Sequence, residues 1–211
     1  MVSGKMNTIG ILDIGIGNLG SLNSALSELG FESVVVRSPE VLHEVDSLIM
    51  PGVGAFGHGM QSIKSSGMEN AIRTHVAASK PLLGICLGMQ MLFDGSEESS
   101  SFFGLGLIPG GVKRFAYRQE YQVPHVGWNN ITTQKQHFVL RGLKAGIDFY
   151  FVHSYYVECD SAYVVSVTDY GINFPSIVSS GSVIGIQFHP EKSQRNGLKI
   201  LSNFCLWDGK C

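Results

Sequence analysis

One cysteine stands in a sequence setting typical of a catalytic nucleophile. Cys86 lies in the stretch Gly84-Ile85-Cys86-Leu87-Gly88, between an apolar run and a segment of helical character. This strand–turn–helix pattern is a nucleophile elbow with Cys in place of Ser. The glycines permit a sharp turn, and the N-terminus of the next helix favours a thiolate. The Leu87 N–H would then face a developing oxyanion; the alternative is a buried structural cysteine.

A candidate base and a carboxylate occur together near the C-terminus. His189 and Glu191 follow an apolar run at 183–188, and Pro190 separates them. Catalytic groups of α/β sheets collect just beyond strand ends. Because Pro190 restricts the local backbone, Glu191 can fold back and orient the imidazole as in a catalytic triad. The alternative is an exposed histidine beside a glutamate at a helix N-terminus.

A glycine-rich segment at 51–57 is the third candidate site. It lacks the Lys and Ser or Thr of a phosphate-binding loop. Glycines on either side of Val53 instead allow a bare N–H to approach a developing oxyanion.

The hydrophobic pattern predicts the elements that carry these groups. Strands are predicted at 8–14, 31–37, 47–50, 81–86, 112–116, 149–153, 163–168, 176–179 and 183–188. Helices are predicted at 19–29, from 39, at 68–79, at 87–93 and from 193, and loops at 51–59 and 99–101. Strands alternate with helices only in the first half. We therefore expect an α/β fold with a mainly parallel central sheet flanked by helices, and an antiparallel extension.

Composition narrows the classes of function. The chain has 211 residues with 44% hydrophobic and 15% charged residues and a formal net charge of -2, which fits one folded domain over 1–211. Scattered basic residues predict neither nucleic-acid nor membrane binding. Four cysteines without a C-x-x-C pair, and a short polar start, indicate a cytoplasmic protein with reduced thiols. No metal or cofactor site is predicted.

Taken together, these motifs resemble the class I glutamine amidotransferases. Within that family, the order and spacing are most similar to the glutaminase subunits of imidazole glycerol phosphate synthases. The matching stretches are 15–19, 51–54 with Phe56, 84–90, 124–129, 151–155 and 187–193. The resemblance implies a flavodoxin-like topology and no cofactor. It also implies hydrolysis of L-glutamine, with ammonia passed to a (β/α)8-barrel synthase in a heterodimer of the histidine pathway.

The resemblance also implies roles for individual residues. The catalytic triad would be Cys86, His189 and Glu191, and the oxyanion N–H groups those of Val53 and Leu87. Positions that match glutamine-binding residues are Gly54, Gln90, Glu98, Ser154 and Tyr155. Positions that match the partner-facing surface are Asn18, Trp128, Tyr150 and Lys192.

Two departures keep alternatives open. Ile14 stands where many relatives carry Tyr, and the 99–103 segment is slightly long. A glutaminase that serves a sugar-amidinating synthase would share every motif above. A Cys-dependent peptidase or hydrolase of related fold is more distant, because Gln90 and the late His189–Glu191 pair argue against it. A degenerate subunit kept for assembly is disfavoured by the intact triad.

Overall fold

The computed structural model describes residues 7–117 and 121–210. The helices are α1 (Leu19–Glu28), α2 (Pro39–Glu44), α3 (Phe56–Ser65), α4 (Met68–Ala77), α5 (Leu87–Gln90) and α6 (Gln194–Leu206). The strands are β1 (Ile9–Leu12), β2 (Ser33–Val36), β3 (Ser47–Gly52), β4 (Leu82–Cys86), β5 (Gly95–Ser96), β6 (Ser99–Phe103), β7 (Gly111–Arg114), β8 (His125–Asn130), β9 (Thr132–Thr133), β10 (Asp148–His153), β11 (Tyr155–Glu158), β12 (Val164–Asp169), β13 (Asn173–Ser180) and β14 (Val183–Ile186).

A large mixed sheet organises the molecule. Its strand order is β2-β1-β3-β4-β14-β13-β12-β9. The first five strands run parallel, and the last three continue antiparallel after the hairpin at Gly181. The predicted α/β fold with a parallel core and an antiparallel extension is confirmed. The parallel register places Cys86 opposite Gly52, at the carboxyl ends of β4 and β3.

Helices cover both faces of this sheet. Strands β1, β4 and β14 are buried at every position, as expected for parallel strands packed on both sides. Helices α1 and α6 contribute Leu26 and Phe204 to the core on one face. Helices α3 and α4 contribute Met60 and Ile72 to the core on the other. No helix of the described part of the chain combines the length and apolar character that a bilayer span requires.

Two smaller sheets lie beside the main one. Strands β8 and β10 form an antiparallel pair, and the other sheet has the order β11-β7-β5-β6. The prediction of a loop at 99–101 was wrong, because this serine-rich segment begins β6. Its Ser99 and Phe102 side chains pack where Gly57 of α3 leaves room, so tertiary contact overrides a loop-like composition.

Helix α3 was also absent from the sequence prediction. Its glycines suggested a loop, but they serve close packing. A β-carbon at Gly59 would lie 2.6 Å from the sulfur of Met91, so glycine lets α3 approach the segment after α5.

Candidate active site

The turn at Cys86 is sharp and strained. Cys86 ends β4 with φ 54° and ψ -108°, and α5 begins at the next residue. A β-carbon at Gly84 would lie 2.6 Å from the carbonyl oxygen of Gly88, and one at Gly88 would collide with the carbonyl oxygen of Met50. Positive φ at a non-glycine residue costs free energy that the surrounding contacts must offset. The side chain of Cys86 is thereby held at the end of the sheet, in a cavity.

His189 and Glu191 are paired beside this turn. A 3-10 turn at Pro190–Lys192 directs Glu191 back toward the ring. Nδ1 of His189 lies 2.8 Å from Oε1 of Glu191, and the two side chains are only 2% and 6% exposed. Burial opposes the imidazolium, but the neighbouring Cys86 and Glu191 side chains outweigh it, so the pKa of His189 is raised.

The thiol of Cys86 has two further polar neighbours. It lies 3.9 Å from the carbonyl oxygen of Val152, and Nε2 of Gln187 lies 3.7 Å from the sulfur. Nε2 of His189 is buried and makes no hydrogen bond with any described residue. The thiol and the imidazole thus share one site, and Cys86 lies close enough to raise the pKa of His189.

A cavity of ≈ 330 Å³ opens over the thiol. Nine residues predicted from the sequence line it, namely Val53, Gly54, Cys86, Leu87, Gln90, Glu98, Ser154, Tyr155 and His189. Three lining residues were not predicted, namely Pro124, Val152 and His153. Its size lies at the lower end of the range for small-ligand sites. Glu191 does not line the cavity but is hydrogen-bonded to His189, which does.

Gln90 is buried in the cavity wall. It is 5% exposed, although its helical setting was equally compatible with a surface position. Its Nε2 lies 3.1 Å from the carbonyl oxygen of Tyr155 and 3.1 Å from Oε1 of Gln187. Gln90 therefore ties α5 to β11 and to the residue that contacts the thiol.

The other candidate glutamine-binding residues also contribute to local structure. Oε2 of Glu98 accepts a 2.7 Å hydrogen bond from the N–H of Phe56, the first residue of α3. Gly54 has φ 105°, a conformation that side chains rarely adopt. Ser154 follows β10 and Tyr155 begins β11, and both line the cavity.

The two candidate oxyanion donors, the N–H groups of Leu87 and Val53, differ in their hydrogen bonding. Leu87 is the first residue of α5, so its N–H has no partner within the helix. The N–H of Val53 instead donates a 2.7 Å hydrogen bond to the carbonyl oxygen of Ile16. The Val53 N–H is therefore engaged away from the cavity in this conformation.

The four residues matched to the partner face lie near the same end of the sheet. Trp128 is 49% exposed, and its ring lies edge-on to Tyr150 at 6.1 Å between centroids. The Nζ of Lys192 lies 6.0 Å from the centre of the Tyr150 ring. Asn18 and Lys192 line a small cavity shared with Glu191. Asn18 has a structural role as well, because it caps α1 by accepting from the N–H of Ser21.

A pair of buried histidines was missed by the sequence analysis. His125 and His153 face each other across β8 and β10, with Nδ1 of His125 3.0 Å from Nε2 of His153. Burial lowers the pKa of His125 to about 4 and that of His153 to about 3, so both rings are neutral. Nδ1 of His153 also lies 2.8 Å from the carbonyl oxygen of Tyr155, at the start of β11.

Comparison with known proteins gives a consistent result. The family model described as glutamine amidotransferase class-I matches residues 10–207. The imidazole glycerol phosphate synthase subunit HisH of Sulfurimonas denitrificans is 46% identical over 200 residues, covering 93% of this chain and 96% of the relative. The subunit of the same name from Moorella thermoacetica is 44% identical over 200 residues, covering 94% of each chain.

Solved structures agree at the level of the fold. A crystal structure described as glutamine amidotransferase superposes with a TM-score of 0.74 at 23% identity, covering 93% of this chain and 96% of the other. The family match spans nearly the whole length, and the relatives are well above 30% identical. The chain belongs to the class-I glutamine amidotransferase family.

Proposed function

We propose that this chain is the glutaminase subunit of an imidazole glycerol phosphate synthase in histidine biosynthesis. In this role it hydrolyses L-glutamine to glutamate and ammonia. The observation that carries the proposal is the convergence of Cys86 and His189 at one cavity, with Glu191 hydrogen-bonded to His189, although more than a hundred positions separate Cys86 from His189. The identity with the two HisH subunits supports the choice of pathway. We further propose that residues 1–211 form one amidotransferase domain in the cytoplasm.

In the proposed first step, the thiolate of Cys86 attacks the side-chain carboxamide. Nε2 of His189 holds the proton of Cys86, since the pKa of His189 is raised, and the sulfur forms a bond to the carboxamide carbon. Glu191 holds the ring through Nδ1, so that Nε2 faces the sulfur, and it stabilises the imidazolium. The imidazolium then protonates the leaving nitrogen, the carbon–nitrogen bond breaks, and ammonia leaves a thioester on Cys86.

In the second step, water hydrolyses the thioester. His189 takes a proton from water as the oxygen attacks the carbonyl carbon. The tetrahedral intermediate collapses, the carbon–sulfur bond breaks, and the thiolate is left beside the imidazolium. Glutamate is released, and the starting protonation of Cys86 and His189 is restored.

The oxyanion formed in both steps would be held by the N–H groups of Leu87 and Val53. The Val53 peptide must first turn, because its N–H is held by Ile16 at 2.7 Å. Breaking that hydrogen bond costs about 1 kcal/mol net, whereas one well-placed oxyanion donor contributes about 3–4 kcal/mol to the transition state. The turn is therefore favourable once charge develops, and we propose that partner and acceptor binding promote it.

Glutamine would lie along the cavity between two walls. Gly54 and Glu98 line it near the start of α3, and Gln90, Ser154 and Tyr155 line it near the start of β11. The free carboxylate oxygen of Glu98 suits the α-ammonium of the substrate, and the short loop at Gly54 leaves room for its backbone atoms.

Ammonia must reach its acceptor without escaping into water. We propose a (β/α)8-barrel synthase partner that docks on the face formed by Asn18, Trp128, Tyr150 and Lys192. This face borders the catalytic pair, so the partner would cover the site from which ammonia leaves. The acceptor would be a phosphorylated ribulosyl intermediate, converted to imidazole glycerol phosphate and an aminoimidazole carboxamide ribotide.

A reconstitution assay tests this proposal and its alternatives. We would measure glutamate release by the chain alone, with the barrel subunit of an imidazole glycerol phosphate synthase, and with the barrel of a sugar-amidinating synthase. We expect strong stimulation only by the first barrel, and loss of glutamate release in Cys86→Ala with ammonia-driven synthesis retained. Stimulation only by the second barrel would overturn the pathway assignment. Peptide hydrolysis without glutamine hydrolysis would overturn the glutaminase assignment.

A further inference from the structure

An unbroken chain of hydrogen bonds joins strand β8 to the thiol of Cys86. Nδ2 of Asn129 lies 3.4 Å from Nε2 of His125 and donates at 2.9 Å to the carbonyl oxygen of Asp169. From His125 the chain continues through His153 to the carbonyl oxygen of Tyr155. Nε2 of Gln90 donates to the same carbonyl oxygen and to Oε1 of Gln187. Nε2 of Gln187 in turn lies 3.7 Å from the sulfur of Cys86.

The groups at the two ends of this hydrogen-bond chain determine which nitrogen of each histidine carries the proton. A carbonyl oxygen only accepts, so Nδ1 of His153 carries the proton and its Nε2 is an acceptor. Nδ1 of His125 must then carry a proton, which leaves Nε2 of His125 to accept from the amide of Asn129. A second proton on either ring would place two donors face to face at one of the contacts. The lowered pKa values of both histidines agree with neutral rings.

Strand β8 carries the first residues of this hydrogen-bond chain on its inner face and exposed apolar residues on its outer face. Its residues alternate, so that His125 and Asn129 face inward while Val126 and Trp128 face outward. Val126 is 55% exposed and Trp128 is 49% exposed, which leaves an apolar outer face beside the hydrogen-bonded inner one. A ligand that shifts or straightens β8 from outside would move His125 and, through it, the wall of the cavity.

We propose that the His125–His153 pair is a positioning relay that transmits synthase docking on β8 to the Tyr155 carbonyl and to the nucleophile. The inference rests on the proposed function, since it concerns stimulation of glutamine hydrolysis by the partner. Neither histidine acts on the substrate chemically; both act by setting where Tyr155, Gln90 and Gln187 lie.

The test compares stimulation ratios, that is, the rate of glutamate release at saturating barrel partner divided by the rate of the chain alone. His125→Phe keeps a ring in the stack against Tyr170 and Phe151 but removes every hydrogen bond of the side chain. We expect its stimulation ratio to fall about tenfold, as for the loss of one to two hydrogen bonds. His125→Asn keeps a donor near the position of Nδ1 and should recover most of the ratio. His43→Phe, at an exposed position on α2, is the matched control.

Two further measurements separate a relay from general damage. Partner affinity and ammonia-driven synthesis should stay unchanged in His125→Phe, because neither depends on the thiol. The stimulation ratio of the double variant His125→Phe with Asn129→Ala should be no lower than that of His125→Phe alone, because both changes interrupt the same hydrogen-bond chain. If His125→Phe does not fold, Asn129→Ala replaces it. This variant removes the partly exposed first residue of the hydrogen-bond chain and should also lower the stimulation ratio.

The outcomes distinguish the two proposals. A wild-type chain that hydrolyses no glutamine with any barrel overturns the proposed function. A wild-type chain that is stimulated, with His125→Phe or Asn129→Ala stimulated equally, overturns the relay and leaves the proposed function standing. Additive losses in the double variant also overturn the relay.

Discussion

Replacing Glu191 by Gln isolates the effect of one buried charge on the chemistry at Cys86. The carboxylate accepts a 2.8 Å hydrogen bond from His189, and both side chains are almost fully buried. Gln has nearly the same shape without the charge. A hydrogen bond to a charged group contributes about 1.5–3 kcal/mol, which corresponds to a change of roughly 10- to 150-fold in rate.

The amide adds a second penalty through the tautomer of the ring. If the amide NH2 faces Nδ1 of His189, the proton must sit on Nε2, which then no longer accepts from the thiol. Loss of the correct tautomer in a triad reaches about 10⁴-fold. We therefore expect kcat of Glu191→Gln to fall by about 10² to 10⁴. KM should stay within about threefold, because Glu191 does not line the glutamine cavity.

The same variant should change the pH range of activity. Burial is the largest influence on the pKa of His189 and lowers it, while Cys86 and Glu191 raise it, with a raised pKa as the result. A raised pKa keeps the imidazolium available as the acid for ammonia release up to higher pH. Without the Glu191 charge, only Cys86 opposes burial. The alkaline limb of kcat should therefore move to lower pH.

The assay is glutamate release by the complex with the proposed barrel subunit at saturating glutamine, over a series of pH values. Ammonia-driven synthesis by the same complex reports whether the variant still folds and docks. Glu69→Gln, which loses only an exposed i,i+4 pair with Arg73, is the control for loss of one carboxylate. A Glu191→Gln enzyme with kcat near that of Glu69→Gln and an unmoved alkaline limb would refute the triad assignment.

Three further predictions concern the oxyanion peptide, the elbow and the partner face. The amide of Val53 should be protected from hydrogen exchange in the free chain by its 2.7 Å bond to Ile16, and binding of partner with glutamine should remove that protection; unchanged exchange contradicts the peptide turn. Gly88→Ala should abolish soluble folded protein, judged by yield and thermal unfolding, because its β-carbon would overlap the Met50 carbonyl. Trp128→Ala should weaken barrel binding at least tenfold by calorimetry without changing the unfolding temperature, since the ring is half exposed; equal affinity contradicts the docking face.

Local sequence patterns predicted the frame of the site well. Buried apolar runs ending in short turns located β1, β3, β4 and β14, and the elbow at Cys86 followed from glycines at fixed offsets. These features are readable because each depends on neighbours within a few residues. Helix α3 and strand β6 could not be predicted in this way. Their composition suggested loops, and their glycines and serines are explained only by the close packing of α3 against β6.

The parts of the site that sequence did not reveal depend on long-range register. The His125–His153 contact exists because β8 and β10 pair in one antiparallel register, which neither strand specifies alone. Gln90 is buried because β11 supplies an acceptor 65 positions away in the chain. The orientation of the Val53 peptide also escaped prediction, since its partner Ile16 belongs to a different turn.

Under the proposed function, the resting geometry predicts slow glutamine hydrolysis by the chain without its partner. The Val53 N–H is bonded to Ile16, and the thiol is near the Val152 carbonyl while Nε2 of His189 has no hydrogen bond among the described residues. Breaking the hydrogen bond between Val53 and Ile16 costs about 1 kcal/mol, which slows hydrolysis by roughly fivefold. Binding energy from one docking event is sufficient to reverse such small terms. We therefore expect docking of the proposed synthase to activate hydrolysis by removing weak contacts and not by supplying a missing residue.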